Sequence, residues 1–122
     1  MDLQTQRRLE HFAQLADLPV IRIEPCMEFV LPPFRLYIEV IDERVMMTVA
    51  VRVATVDRSR VLKALLARCH PALLQGIPLR AYAARDFQFL SCSPAANSDA
   101  GHWLTCYRVM CRLLDTHAGT HA

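Results

Sequence analysis

The spacing of apolar residues predicts an amphipathic helix at the start of the chain. Apolar residues recur there at intervals of three or four positions, namely Leu9, Phe12, Ala13 and Ala16. This period places them on one face of a helix. Asp2 can cap the helix, because its carboxylate can accept a hydrogen bond from a backbone N–H of the first turn. Asp17-Leu18-Pro19 is expected to end it, since a residue before proline avoids helical backbone angles.

The region after this helix is predicted to be extended. Residues 20–24 and 28–31 form two short strand-like pieces, and Pro25, Pro32 and Pro33 bracket them. Because proline cannot donate a hydrogen bond to a strand ladder, such a region suits an edge strand or irregular structure.

The clearest predicted hairpin follows. Residues 35–40 alternate between apolar and polar side chains, and residues 42–44 make the turn. In the next run, residues 45–54, one face holds Val45, Met47, Val49, Val51 and Val53, and the other holds Met46, Thr48, Ala50, Arg52 and Ala54. Two largely apolar faces indicate a central strand with other elements on both sides.

The second half of the chain predicts two helices around a second hairpin. The apolar stripe of the second helix is Val61, Leu62, Leu65, Leu66 and Cys69. Its cap would be Asp57 or Ser59, and the cap of the third helix would be Ser98 or Asp99. Gly76 suits a left-handed stop after the second helix. Residues 78–84 and 87–92 are predicted to be the paired strands.

The predicted order is therefore αβββαββα, in a single domain that covers residues 1–122. This is an α+β fold with a twisted, mostly antiparallel sheet and helices packed on it. The sheet is predicted to be apolar on both faces, and one layer of helices cannot easily cover both. We therefore expect a second copy of the chain, or a partner protein, to cover the remaining face.

Composition fits a folded domain inside the cell. The 122 residues are 53% hydrophobic and 21% charged, which is enough to bury a core. No apolar run reaches the roughly 18 residues of a membrane helix, and the first twelve residues lack the apolar core of a signal peptide. The five cysteines form no CxxC pair and no disulfide framework, which favours reduced thiols. We expect a cytoplasmic protein with no membrane partner.

The distribution of charge argues against a nucleic-acid partner. The formal net charge is +2, and the arginines are scattered among acidic residues instead of forming one basic face. Aromatic side chains on the predicted strands could stack on single-stranded nucleic acid. Without a basic face, core packing or contact with a partner's apolar side chains explains them better. These aromatics are Phe29, Phe34, Tyr37, Tyr82, Phe87 and Phe89.

The chain contains no motif for catalysis or for cofactor binding. Cys69 and His70 are adjacent, so on a helix their side chains diverge by about 100° and cannot form a nucleophilic pair. His102, Cys106 and Cys111 lack the four closely paired ligands that structural zinc sites use. We interpret these residues as core thiols and surface histidines, and we predict no enzyme, no metal and no cofactor.

The order and size of these segments resemble the class I type III secretion chaperones, the Tir chaperone family. The resemblance covers nearly the whole chain and depends on pattern, not on a signature motif. Asp17-Leu18-Pro19 is similar to the Gly-Leu-Pro that often follows the first helix in that family. The later segments, residues 35–54, 59–69, 79–92 and 99–114, fall where the family has its counterparts. One departure is charge, because many members are acidic and this chain is slightly basic.

The resemblance implies a homodimer or a heterodimer that binds the N-terminal segment of a secreted effector in extended form and keeps it export-competent. By position, the client-binding residues would be Leu15, Val20, Ile21, Ile23, Phe29, Leu31 and Phe34. The family dimerises through the second helix and the strand after it, which here maps to Val61, Leu65, Leu79, Ala81 and Tyr82. Each of these residues also fits a plain core position.

Two other functions fit the same sequence. One is a partner subunit or regulator inside the secretion apparatus, acting as a heterodimer with a similar chain. The other is an unrelated small α+β enzyme whose site forms only in three dimensions. A co-purifying polypeptide would favour the chaperone or the partner subunit, whereas a deep polar pocket with converging His and Cys would favour the enzyme.

Overall fold

The computed structural model describes residues 1–19, 22–70, 72, 74 and 76–119. Within them the helices are α1 (Leu3–Leu15), α2 (Arg58–Arg68) and α3 (Ala100–Ala118), and a short 3-10 helix at Thr55–Asp57 leads into α2. The strands are β1 (Cys26–Leu31), β2 (Phe34–Ile41), β3 (Arg44–Arg52), β4 (Leu79–Ala84) and β5 (Phe87–Cys92). The predicted α+β class and the order αβββαββα are confirmed.

The strands of the described residues form one antiparallel sheet in the order β1-β2-β3-β5-β4. β3 therefore lies at the centre, as its two apolar faces predicted, and β1 and β4 are the edges. One row of aligned side chains crosses the whole sheet and faces the helices: Phe29, Leu36, Val49, Leu90 and Ala81. Together with the apolar stripes of α1, α2 and α3, this face forms the core.

Helix α1 is held to the core by aromatic packing. The Phe12 side chain has no exposed surface. Its ring makes edge contacts with Trp103 and Tyr107 of α3, at centroid distances of 6.4 Å and 6.1 Å. Such edge-to-face geometry adds to the free energy gained from burial alone.

The hairpin between β2 and β3 also anchors the start of α1. Asp42 and Glu43 have φ angles of 50° and 63°, the left-handed backbone that a two-residue hairpin turn needs to match strand twist. The Glu43 carboxylate accepts a hydrogen bond from the Asp2 backbone N–H at 2.8 Å and pairs with the Met1 amino group at 3.4 Å. The charged tip of this hairpin therefore fixes the chain just before α1.

Local signals at the helix ends agree with the structure in most places. Asp2 caps α1 by accepting from the Thr5 N–H, and Gly76 adopts a φ of 83°. Asp57 stands at the start of α2 but makes no cap hydrogen bond. Its carboxylate instead lies 3.4 Å from the guanidinium of Arg60. In the described residues no helix is long and apolar enough to cross a bilayer.

Two predictions about the extended region need correction. Residues 22–24 are not a strand, and β1 begins only at Cys26. Val20 and Ile21 lie outside the described residues. The sheet is also not apolar on both faces. The face away from the helices, called the open face below, mixes apolar, polar and charged side chains: Cys26, Glu28, Val30, Arg35, Tyr37, Glu39, Ile41, Arg44, Met46, Thr48, Ala50, Arg52, Arg80, Tyr82, Ala84, Phe87, Phe89 and Ser91.

Candidate functional site

The free edge of β1 is the strongest candidate binding site in the part of the chain that the structure describes. The Val40 N–H donates to the Pro25 carbonyl at 2.8 Å. Because bonded and non-bonded pairs alternate in an antiparallel ladder, this bond fixes which β1 groups face β2. The N–H and C=O groups of Cys26, Glu28 and Val30 must then point away from the sheet. These groups can accept an added strand.

Open grooves flank this edge. A cavity of about 350 Å³ is lined by Pro19, Arg22, Glu24, Cys26, Met27, Glu28 and Phe29. A second, of about 360 Å³, lies against α1 and is lined by Gln6, Glu10, Ala13, Gln14, Leu18, Arg22 and Ile23. A third, of about 320 Å³, lies across β1 and β2 and is lined by Cys26, Met27, Glu28, Tyr37, Ile38 and Glu39. Arg22 is shared by the first two, so the grooves extend from α1 to the β1 edge.

The chemistry of these grooves suits an extended peptide. Met27 supplies apolar surface at the groove beside β1, and Arg22, Glu24 and Glu28 supply charges of both signs. An added strand would gain main-chain hydrogen bonds along the edge and would place alternate side chains in the flanking grooves.

The predicted client-binding residues are dispersed over this part of the molecule. Ile23 and Phe29 line the grooves, and Leu15 is 40% exposed on α1. Leu31 and Phe34 lie at the turn that joins β1 to β2 and pack against the core. Val20 and Ile21 are outside the described residues.

Two points in the client-binding prediction change. Phe29 is only 8% exposed, so its side chain belongs to the core and not to a free surface. The client-binding prediction did not include Cys26, Glu28 and Val30, whose backbone groups point outward at the β1 edge. The alternation of side chains along β1 is visible in the sequence. Which backbone groups point outward depends on the register with β2, and the sequence does not show that register.

Three of the five residues predicted for the dimer interface are buried within the chain itself. Val61 and Leu65 have no exposed surface and Leu79 is 6% exposed. All three belong to the core. Ala81 is half-buried on the same face, whereas Tyr82 points to the open face and is 44% exposed.

The structure brings one Cys–His pair together. The Cys106 sulfur lies 3.6 Å from Nε2 of His102. The Cys106 side chain has no exposed surface, so a substrate cannot reach the sulfur. The hydrogen bond between Cys106 and Cys92, together with burial, raises the pKa of the Cys92 thiol. Within the described residues, no group of three or more His, Cys, Asp or Glu side chains is arranged to hold a metal ion.

Comparison with known proteins identifies related chains. The SsaM family model matches residues 2–117. The secretion system apparatus protein SsaM of Salmonella typhimurium (strain LT2) is 30% identical over 115 residues, which cover 94% of this chain and 93% of that protein.

Two solved structures share the fold. YbjN from E. coli has a TM-score of 0.59 at 10% identity, and the match covers 97% of this chain and 89% of that chain. A chain in the crystal structure of the ExsC–ExsE complex has a TM-score of 0.57 at 18% identity, covering 97% and 92%. At these identities the two likenesses establish the fold alone.

Proposed function

Because this chain belongs to the SsaM family, we propose that it is a non-enzymatic, protein-binding component of a type III secretion apparatus. It holds a segment of another secretion-system protein in extended form. The description of the Salmonella relative as a secretion system apparatus protein supports the apparatus assignment. The order of helices and strands, which resembles the type III secretion chaperones, supports the binding of an extended segment.

The main support for the proposal is the exposed backbone along the β1 edge. Its outward N–H and C=O groups lie at Cys26, Glu28 and Val30, between grooves of about 350 Å³ and 320 Å³. Main-chain hydrogen bonds supply affinity that does not depend on the partner's sequence, and the grooves supply selectivity. The strand is only six residues long and is bounded by Pro25 and Pro32. Short edges next to prolines resist pairing with further copies of themselves.

The partner is proposed to be a protein of the apparatus, and a chaperone for one secreted effector is the second candidate. The name of the Salmonella relative favours the former. The resemblance of the segment order to effector chaperones favours the latter. An enzyme is the least supported function, because the sulfur of the Cys106–His102 contact is closed to substrates.

The test is co-purification from the native host with a matched pair of variants. Glu28→Pro removes one outward N–H without removing a hydrogen bond to β2, whereas Glu28→Ala keeps that N–H and removes only the exposed carboxylate. We expect Glu28→Pro to lose the partner and Glu28→Ala to retain it, as measured by mass spectrometry of the purified complexes.

Circular dichroism and thermal unfolding should be similar for both variants, because Glu28 is exposed at the edge. Retention of the partner by folded Glu28→Pro would show that binding does not use the β1 edge. The identity of the retained protein separates the two candidates, since a secreted protein indicates a chaperone and an apparatus protein indicates a subunit.

A further inference from the structure

The open face carries a cluster of aromatic rings and guanidinium groups. Tyr82 and Phe89 are stacked, with ring centroids 5.0 Å apart and an interplanar angle of 10°. The ring centroids of Phe87 and Phe89 are 6.2 Å apart. The guanidinium carbons of Arg35 and Arg52 each lie 5.2 Å from the Phe87 ring centroid. These five residues are called the aromatic–arginine patch below.

The strand register explains why these side chains meet. Arg35, Ala50, Phe89 and Tyr82 occupy one row that crosses β2, β3, β5 and β4. Ala50 is small and fully covered, so the side chains of its neighbours close over it. Arg52 and Phe87 are paired in the row beside it. The patch is therefore built on rigid strands and not on a loop.

The charges in this patch are poorly balanced. The guanidinium groups of Arg35 and Arg52 lie over the same Phe87 ring, so two like charges share this part of the surface and repel each other. Asp86 lies 3.6 Å from Arg52, but both side chains of this pair are more than half exposed, so the pair contributes little.

One further cation lies beside the patch. Arg80 adds another cation in the row on the other side of Tyr82. Of the acidic residues on the open-face strands, Glu28 on β1 is diagonal to Arg35 and shares the row of Arg80, and Glu39 lies farther along β2.

We propose that the aromatic–arginine patch binds an acidic, apolar segment of a partner protein. A carboxylate would bridge Arg35 and Arg52 through charge-assisted hydrogen bonds, and an apolar side chain would rest on the Tyr82–Phe89 stack. This surface differs from the β1 edge and does not depend on the function proposed above.

Other occupants fit the charges less well. A second copy related by a two-fold axis that passes through the patch would bring the same cations opposite one another. A single-stranded nucleic acid needs a continuous basic track, whereas Glu28 and Glu39 interrupt the open face.

The test is a titration of the full chain, labelled with ¹⁵N, with synthetic peptides. The probe is a twelve-residue peptide of Glu, Leu and Ser. The matched controls are the peptide with Lys for Glu, the peptide with Ser for Leu, and a twelve-nucleotide oligo-dT. We expect the Glu–Leu peptide to shift amide signals of β2, β3, β4 and β5, with affinity that falls as salt increases.

Charge reversal locates the binding site. Arg35→Glu combined with Arg52→Glu should weaken binding of the Glu–Leu peptide at least tenfold. Arg108→Glu combined with Arg112→Glu should leave it unchanged, since these arginines are exposed on α3, which packs on the other face. If the first variant does not fold, the comparison of Glu and Lys peptides on the unaltered chain decides the matter.

Three results would overturn the proposal. The first is equal binding of the Glu and Lys peptides. The second is tighter binding of oligo-dT at the same amides, which would make the patch a nucleic-acid site. The third is a shift of these amide signals with protein concentration alone, which would mean that a second copy covers the patch.

Discussion

At the scale of single residues, the candidate site is carried by backbone groups, with side chains in a supporting role. Glu28 and Val30 turn their N–H and C=O groups outward, while Phe29 between them is buried and ties β1 to the core. The same short strand thus has an exposed backbone at one residue and a core side chain at the next. Substituting Asp at Phe29 is expected to unfold the chain and not to remove a contact with a partner, because it buries an unpaired carboxylate.

Buried ionisable side chains predict how stability changes at high pH. Burial raises the pKa of Cys111 from 9.0 to about 11. Burial also raises the pKa of Tyr107 from 10.0 to about 12, with a smaller contribution from Cys111. Between these values the unfolded chain loses protons that the folded chain retains, so this stability is complete below pH 9 and is lost as the pH rises through 11 and 12.

We expect the free energy of unfolding in urea to be lower at pH 10.5 than at pH 8, and the difference to be smaller in Cys111→Ala. Cys26→Ala is the control for the loss of a thiol, because Cys26 is exposed. An unchanged difference in Cys111→Ala would mean that this thiol is not protected from ionisation.

Sequence could predict which residues are apolar but not which of them remain exposed. Val61 and Leu65 follow the helical period of α2 and have no exposed surface, while Leu66 on the same helix is 53% exposed. All three are equally apolar in the sequence. The difference arises from the orientation of α2 on β4 and β5, which residue spacing alone does not fix.

At the scale of elements, the ends of helices follow local chemistry. The Asp99 carboxylate accepts a hydrogen bond from the His102 N–H at 2.8 Å, and the neighbouring Ser98 hydroxyl accepts one from the Trp103 indole at 2.8 Å. Both residues were candidates for the cap of α3. Asp99 is the cap, and Ser98 instead binds the Trp103 side chain. The cap of α2 was less predictable, because the carboxylate of Asp57 turns toward Arg60, which lies three residues further along the chain.

The cap of α3 gives a prediction for stability. Asp99→Ala leaves an N–H of the first turn without its acceptor, and we expect a loss of about 1 kcal/mol in the free energy of unfolding. Asp99→Asn keeps a side-chain oxygen acceptor and should lose much less. Denaturant unfolding monitored through Trp103 measures both. Equal losses in the two variants would show that charge, and not the hydrogen bond, is what Asp99 contributes.

At the scale of the whole molecule, strand order decides which surfaces are free. β5 inserts between β3 and β4, which leaves β1 and β4 as edges. Alternation within each strand predicted the strands and the central position of β3, since those are local signals. It could not show that β5 pairs with β3, because that pairing joins segments about forty residues apart. The exposed edge and the aromatic–arginine patch both result from this long-range pairing.

Self-association is a prediction that belongs to this scale. If the chain forms a homodimer through α2, as the resemblance to secretion chaperones implies, the contact must use outward side chains such as Leu66. Leu66→Asp should then weaken the dimer in sedimentation equilibrium, because a buried unpaired carboxylate is costly at an interface. Lys63→Asp, at another exposed position of α2, is the control for added negative charge. A chain that sediments at 13.9 kDa at micromolar concentration would contradict the homodimer.

Hydrogen exchange at single amides of β1 tests the central claim most directly. In the free chain, the outward N–H groups of Glu28 and Val30 should exchange quickly, while those of Met27 and Phe29, bonded to β2, should exchange slowly. Addition of the co-purified partner should slow Glu28 and Val30 and leave Met27 and Phe29 nearly unchanged. If the partner binds and the exchange of Glu28 and Val30 stays fast, the partner does not pair with the β1 edge and the account is wrong.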